Sequence, residues 1–256
     1  MHVEVVTDPG SNSGGPGDTG GDDAGTDAGV RDAFGGDAAL LPDARSRRRD
    51  RVFALATPEA AVLTTTALAH RTSVEGCGHG TGWYIRRLGA HLLTRFVDRP
   101  ERPVADCLSD AIAETAALHG GRCDLALHGT PTASVVAVRL TEGRLDHLVL
   151  GPGRVLIRRG TTVRAVGDPG GARHAAGARP SAAAGATWGS SSCRGVHTLV
   201  LLNGGAVESL PAALWPDTVR LLEEVGAHGL LAHIRSTELR TAAPHRPVGV
   251  VHLRPA

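Results

Sequence analysis

The residues best suited to chemistry in this chain are its four cysteines and thirteen histidines. Cys77 and His79 stand two positions apart, and His119, Cys123 and His128 bracket one loop. Thiolates and imidazoles are zinc ligands, but structural zinc sites are commonly built on closely spaced cysteine pairs. No CxxC occurs, and these spacings fit no standard zinc pattern. The expectation is therefore no metal ligand and no cofactor. Cys107 falls on an apolar helical stripe and reads as a core residue. A Walker-type GxxxxGK loop, a strand-linked GxGxxG and a GxSxG elbow are all absent. Gly189-Ser190-Ser191-Ser192-Cys193 resembles the last only in composition and reads as loop. Asp106, Asp110 and Glu114 would share one side of a helix, where a solvated face is the simplest reading.

Composition narrows the classes further. Twenty-seven basic residues, all arginine, stand against 26 acidic ones, a formal net charge of +1. That balance excludes a polyanion binder driven by bulk charge. The basic cluster Arg45, Arg47, Arg48, Arg49 and Arg51 has no interleaved aromatics, so no nucleic-acid partner is expected. No run approaches the roughly 18 apolar residues of a membrane span. The opening MHVEVVTDPG has neither a basic nor an apolar signal region, so a cytoplasmic, membrane-free protein is expected. Hydrophobic residues make up 41% and aromatics 3%, so the core must be Leu, Val and Ala.

These residues must be positioned by elements, and the pattern supplies them. Val3, Val5 and Val6 suggest a first strand over 1–7. Residues 8–50 read as a disordered insertion with a basic end: from Asp8 to Ala44 eight Asp face one Arg, with no apolar periodicity. The domain proper is expected over 51–256. Val52–Ala56 and Ala61–Thr65 read as strands around a turn at Pro58-Glu59. Two helices follow. Ile85, Leu88, Leu92, Leu93 and Phe96 mark the first. Val104, Cys107, Leu108, Ala111, Ile112 and Thr115 mark the second, between Pro103 and Gly120-Gly121. A meander is expected through Ser134–Leu140, Leu145–Leu150, Arg154–Arg158 and Thr162–Val166, then a loose loop over 167–194. Thr198–Leu202 reads as a strand, 217–225 and 227–239 as helices split by Gly226, and Val248–Leu253 as the last strand. Two antiparallel sheets with helices packed outside would bury these faces, an α+β sandwich.

Several segments carry a resemblance. They are Gly76-Cys77-Gly78-His79-Gly80-Thr81-Gly82-Trp83-Tyr84-Ile85, Ala105-Asp106-Cys107-Leu108 through His119-Gly120, Gly129-Thr130-Pro131-Thr132-Ala133-Ser134-Val135, and Leu148-Val149-Leu150-Gly151. In this order they resemble the bacterial branch of the protein phosphatase 2C (PPM) family. The resemblance implies a four-layer αββα sandwich. It also implies hydrolysis of phosphoserine and phosphothreonine at a two-metal, Mg or Mn, centre held by aspartates. This chain departs from that pattern at the acids. Thr64 stands where a metal-bridging Asp is expected, and Asn203 stands for the Asp of a Ser-Asp-Gly. Pro152 lies in the place of a Gly-Asp-Ser turn, and Arg246-Pro247 replaces the closing acids. Val52 sits where an acid should precede Phe53, with Asp50 out of register.

Hard dications need anionic oxygen ligands, and two of them a few ångströms apart need bridging carboxylates. The expectation is thus a pseudophosphatase with no catalytic residue and no cofactor. Thr64, Pro152, Asn203 and Arg246 would be vestigial metal positions, and the protein would act by binding an unknown protein or phosphoprotein. The rivals are a metal-dependent serine/threonine phosphatase with atypical ligands and a hydrolase reusing the cleft with Cys or His. A decaying product with no selected activity is a third.

Overall fold

A computed structural model describes residues 2–10, 51–67, 77–121, 123–127, 130–167 and 174–255. The insertion from 11 to 50, His128 and Gly129 lie outside them.

Among the described residues, ten strands form two five-stranded sheets. They are β1 (His2–Asp8), β2 (Val52–Ala56), β3 (Ala60–Thr66), β4 (Ala133–Thr141), β5 (Arg144–Leu150), β6 (Arg154–Arg159), β7 (Thr162–Val166), β8 (Thr187–Ser192), β9 (Val196–Leu202) and β10 (Val248–Arg254). One sheet runs β1-β10-β9-β6-β7 and the other β2-β3-β4-β5-β8, each pair antiparallel. The helices are α1 (Thr81–Asp98), α2 (Val104–Ala117), α3 (Gly204–Ser209) and α4 (Trp215–Thr241).

Alternation along the strands builds three apolar layers. Between the sheets lie Ala61, Leu63, Val136, Val149, Val155, Leu199, Leu201 and Val251. Val62, Val135, Ala137 and Leu148 face the other way, against Ile85, Leu88, Leu92, Leu108 and Ile112 of α1 and α2. Leu156, Val200, Leu202 and Val250 face Val219, Leu222, Leu230 and Ile234 of α4. Helices therefore cover both outer faces, and the fold is the four-layer α+β sandwich.

Three expectations need correction. The meander is divided between the sheets: β4 and β5 lie in one, β6 and β7 in the other. The turn at 151–153 carries the chain across. A β-carbon on Gly153 would come within 2.8 Å of the Leu202 carbonyl, so only glycine permits that approach. The segment from 167 to 194 is not all loop, because Thr187–Ser192 pairs with β5 along its edge. Its Ser and Gly residues have low strand propensity, and the partner strand imposes the conformation. The six-residue α3 was not expected. Gly226 does break the long helix, with φ 72° and ψ 179°.

At the end remote from β10's start, Arg139 is 1% exposed and reaches Asp146 at 2.8 Å and the carbonyls of Arg99 and Arg102. This tie holds the α1–α2 connection to β4 and β5. Among the described residues no helix is long and apolar enough to cross a membrane.

Candidate functional site

The antiparallel registers bring the ends of β3, β5 and β9 and the starts of β4, β6 and β10 to one end of the sandwich. Gly10 and Arg51, on either side of the insertion, lie at this end too. Gly10 sits against the backbone of His245 and Arg246, and the Arg51 carbonyl accepts from Thr66 N–H at 2.9 Å.

Three of the four positions marked by the resemblance meet here. Asn203 is 1% exposed and caps α3, its Oδ1 accepting from Ala206 N at 3.1 Å. The same oxygen accepts from Gly249 N at 3.0 Å, and Nδ2 donates to the Pro247 carbonyl at 2.8 Å. Asn203 thereby fastens β9, α3 and β10 together. The Pro152 ring packs on Gly204, where a β-carbon would come within 2.6 Å of it. Arg246 is ion-paired with Glu208, and its carbonyl accepts from Arg235. Arg235 also holds Asp8 at 2.9 Å and Glu238 at 2.6 Å. Asp8, Glu208 and Glu238 are thus each paired to an arginine.

Thr64 is not with them. Its buried hydroxyl lies 3.0 Å from the Ile85 carbonyl and 3.3 Å from that of Phe53, underneath α1. Ala61 and Leu63 point to the opposite sheet, so the residue of β3 on that face here is Thr65. A shift of one residue exchanges the two faces of a strand. Thr65 joins the shared end through its carbonyl, which accepts from Ser134 Oγ at 3.4 Å.

These side chains do not suit a carboxylate-bridged pair of Mg or Mn ions. The Asn203 oxygen is already filled by two N–H donors, Thr64 is turned away, Pro152 offers no side-chain donor atom, and Arg246 is cationic.

A different donor set forms where α1 begins and α2 ends. Cys77, His79, His119 and Cys123 present one ligand atom each, and all four atoms lie within 4.8 Å of one another. His79 Nδ1 is 3.7 Å from Cys77 Sγ and 3.4 Å from Cys123 Sγ. His79 stacks on Trp83 at 4.3 Å, and His119 meets the Trp83 ring edge-on at 4.9 Å. Burial pushes the Cys77 thiol up, while the backbone N–H groups of His79 and Gly80 act against that and the Cys123 thiol adds to it. The expectation of no metal ligand and no cofactor therefore does not stand. The sequence offered both halves of this cluster, and the missing CxxC concealed it.

A scan against protein-family models and a search of curated proteins each give no match. Solved structures do match. A variant of a bacterial serine phosphatase aligns at TM-score 0.60 and 12% identity, covering 99% of this chain and 98% of that one. The Mycobacterium tuberculosis serine/threonine phosphatase PstP aligns at 0.58 and 14%, covering 79% and 91%. Serine-threonine phosphatase 2C from Toxoplasma gondii aligns at 0.52 and 9%, covering 76% and 84%. The catalytic domain of PstP solved in complex with two manganese ions aligns at 0.52 and 12%, covering 79% and 90%. Identities this low speak for architecture, and on that ground the chain has the fold of the protein phosphatase 2C serine/threonine phosphatases.

Proposed function

We propose that this phosphatase-2C-fold protein does not hydrolyse phosphoesters and acts by binding a protein or phosphoprotein. The observation that carries this reading is Asn203. Its carboxamide is consumed by three hydrogen bonds to backbone, at the place where the resemblance sets a metal-binding Asp. The paired acids Asp8, Glu208 and Glu238 add support, since arginines already neutralise them. A two-ion Mg or Mn centre that generates hydroxide and stabilises a phosphoryl group needs carboxylates free to bind the ions. The fold's apolar layers are intact, which favours a surface kept for recognition.

The test is turnover of an aryl phosphate and of a phosphothreonine peptide by the purified full chain, with Mn²⁺ or Mg²⁺ supplied. The expected outcome is no hydrolysis above the metal-only blank. Metal-dependent turnover that follows the protein through successive columns would overturn this reading and establish a metal-dependent serine/threonine phosphatase with atypical ligands.

A further inference from the structure

We infer that Cys77, His79, His119 and Cys123 form a closed, tetrahedral site for a dication of the zinc class, which clamps the start of α1 to the end of α2. This inference is independent of whether the protein hydrolyses phosphoesters.

The distances suit the ion. Zinc–sulfur bonds near 2.3 Å and zinc–nitrogen bonds near 2.0 Å set neighbouring S and N ligands about 3.5 Å apart in a tetrahedron. The two S···N distances at His79, 3.7 and 3.4 Å, bracket that value. The widest separation in the cluster, 4.8 Å at most, asks for a contraction of only about 1 Å.

His119 supplies a second, independent sign. Its ring is 3% exposed, and Nδ1 lies 3.0 Å from the Thr115 carbonyl. A carbonyl only accepts, so Nδ1 carries the proton and Nε2 presents a lone pair. That Nε2 is buried with no hydrogen-bond partner. Metal-bound histidines characteristically hold their other nitrogen this way, on a backbone carbonyl that fixes tautomer and orientation.

The local chain is shaped for the cluster. Helix α2 ends at Ala117, and Gly120 and Gly121 follow with φ 57° and 70°. Two successive left-handed residues turn the chain back, so that Cys123 returns beside His119. On the other side, Gly80 with φ 80° lets the chain bend from Cys77 and His79 into α1.

Ligand chemistry selects the metal. Two thiolates and two imidazoles favour zinc and disfavour magnesium or manganese, which prefer carboxylate oxygens. Two thiolates also balance the dication's charge. Four protein ligands leave no open position, so the site is structural and binds no substrate. It fixes a helix hairpin.

The test uses the full chain, reduced and stripped with a chelator, then titrated with Co²⁺. Tetrahedral cobalt bearing thiolates gives intense visible d–d bands and a thiolate charge-transfer band. Both should saturate at one cobalt per chain and vanish when zinc is added. Loss of a supporting group beyond the ligands already weakens metal affinity 10–100-fold, so Cys123→Ser should weaken it by more than about 100-fold. Cys193→Ser, at a cysteine outside the cluster, should titrate like the unmodified chain. Chelator should lower the melting temperature of the unmodified protein. If Cys123→Ser does not fold, the unmodified titration still decides. A spectrum without thiolate charge transfer at one equivalent overturns the site. So does equal cobalt affinity in a folded Cys123→Ser, or a Cys77–Cys123 disulfide in place of bound metal.

Discussion

Asn203 ties β9, α3 and β10 together with three hydrogen bonds to backbone. Removing it by Asn203→Ala takes away the α3 cap, about 1 kcal/mol. It also strands the buried Gly249 N–H, at about 1–3 kcal/mol. Denaturant unfolding should therefore report a loss of about 2–4 kcal/mol. Asn203→Asp keeps an acceptor for Ala206 N and Gly249 N. It also buries a carboxylate and sets an oxygen against the Pro247 carbonyl in place of the Nδ2 donor, so it too should lose stability near neutral pH. Unchanged stability in Asn203→Ala would show that the side chain merely fills space. At this scale the sequence is legible only in part. Asn203, Pro152 and Arg246 were placed in one neighbourhood by the resemblance, and they are neighbours. Thr64 was one residue out of phase. The strand Ala61–Thr65 is apolar on both faces, so periodicity could not say which threonine faces which layer. The cysteines and histidines are visible in the sequence, but their spacing does not mark them as one site. The two pairs sit 40 residues apart, and only the antiparallel packing of α1 on α2 brings His79 to His119.

Elements with a full apolar stripe were legible, and those defined by their neighbours were not. Helix α2 matches its stripe residue for residue, with Val104, Cys107, Leu108, Ala111, Ile112 and Thr115 all buried. Ile112→Ala at its centre should cost on the order of 2–5 kcal/mol. Asp110→Ala, on the side where Asp110 pairs with Arg102 at 2.9 Å, should cost under about 1 kcal/mol. Equal effects in urea unfolding would reverse the assigned faces. Strand β8 carries no such stripe, since its Thr-Trp-Gly-Ser-Ser-Ser is a strand only by pairing with β5. In the long helix α4 the break at Gly226 was readable because one residue type does the work. Its φ and ψ fall in a region that is essentially glycine-only. The restart is capped from another element: Glu4 Oε2 of β1 accepts from Ala227 N at 2.8 Å. Gly226→Ala would force the strained backbone and bring a β-carbon within 3.0 Å of that carboxylate oxygen. The expected loss is about 1–3 kcal/mol. An unchanged or raised melting temperature would mean that the break straightens without cost.

Among the described residues, His147 and His252 are buried on strands of the two sheets, and they should make stability depend on pH. His252 lies on β10 with no exposed surface, between the sheet and α4. Glu4 of β1, Glu223 of α4 and Arg254 of its own strand surround it electrostatically, and Arg158 of β6 and Thr198 of β9 bind Glu223. His147 lies on β5 against Gly189 of β8, with Arg164 of β7 and Asp146 acting on it. Burial is the largest cause in both cases and holds each imidazole below its ordinary value, despite the opposing carboxylates. The unfolded chain therefore binds protons on these rings more readily than the folded protein as pH falls below about 6.5. Stability from the two neutral rings is complete above that value and declines as pH falls through it toward the lower folded values. Each ring contributes a slope of at most about 1.4 kcal/mol per pH unit within that window. A second decline belongs to Glu4 and Glu223. Burial alone would raise these carboxyls, but Ala227 N–H and His2 for Glu4, and Thr198 and Arg158 for Glu223, hold them lower overall. Their contribution is present above the usual carboxylate range, about 4.3, and is lost as pH falls below it. Urea unfolding at a series of pH values should thus show one fall beginning near pH 6.5 and a second beginning near pH 4.3. His147→Gln should reduce the slope of the first fall and leave the second in place. A stability that stays flat from about pH 7 to pH 5, or a first fall with the same slope in His147→Gln, would mean that His147 is protonated equally in the folded and unfolded chains.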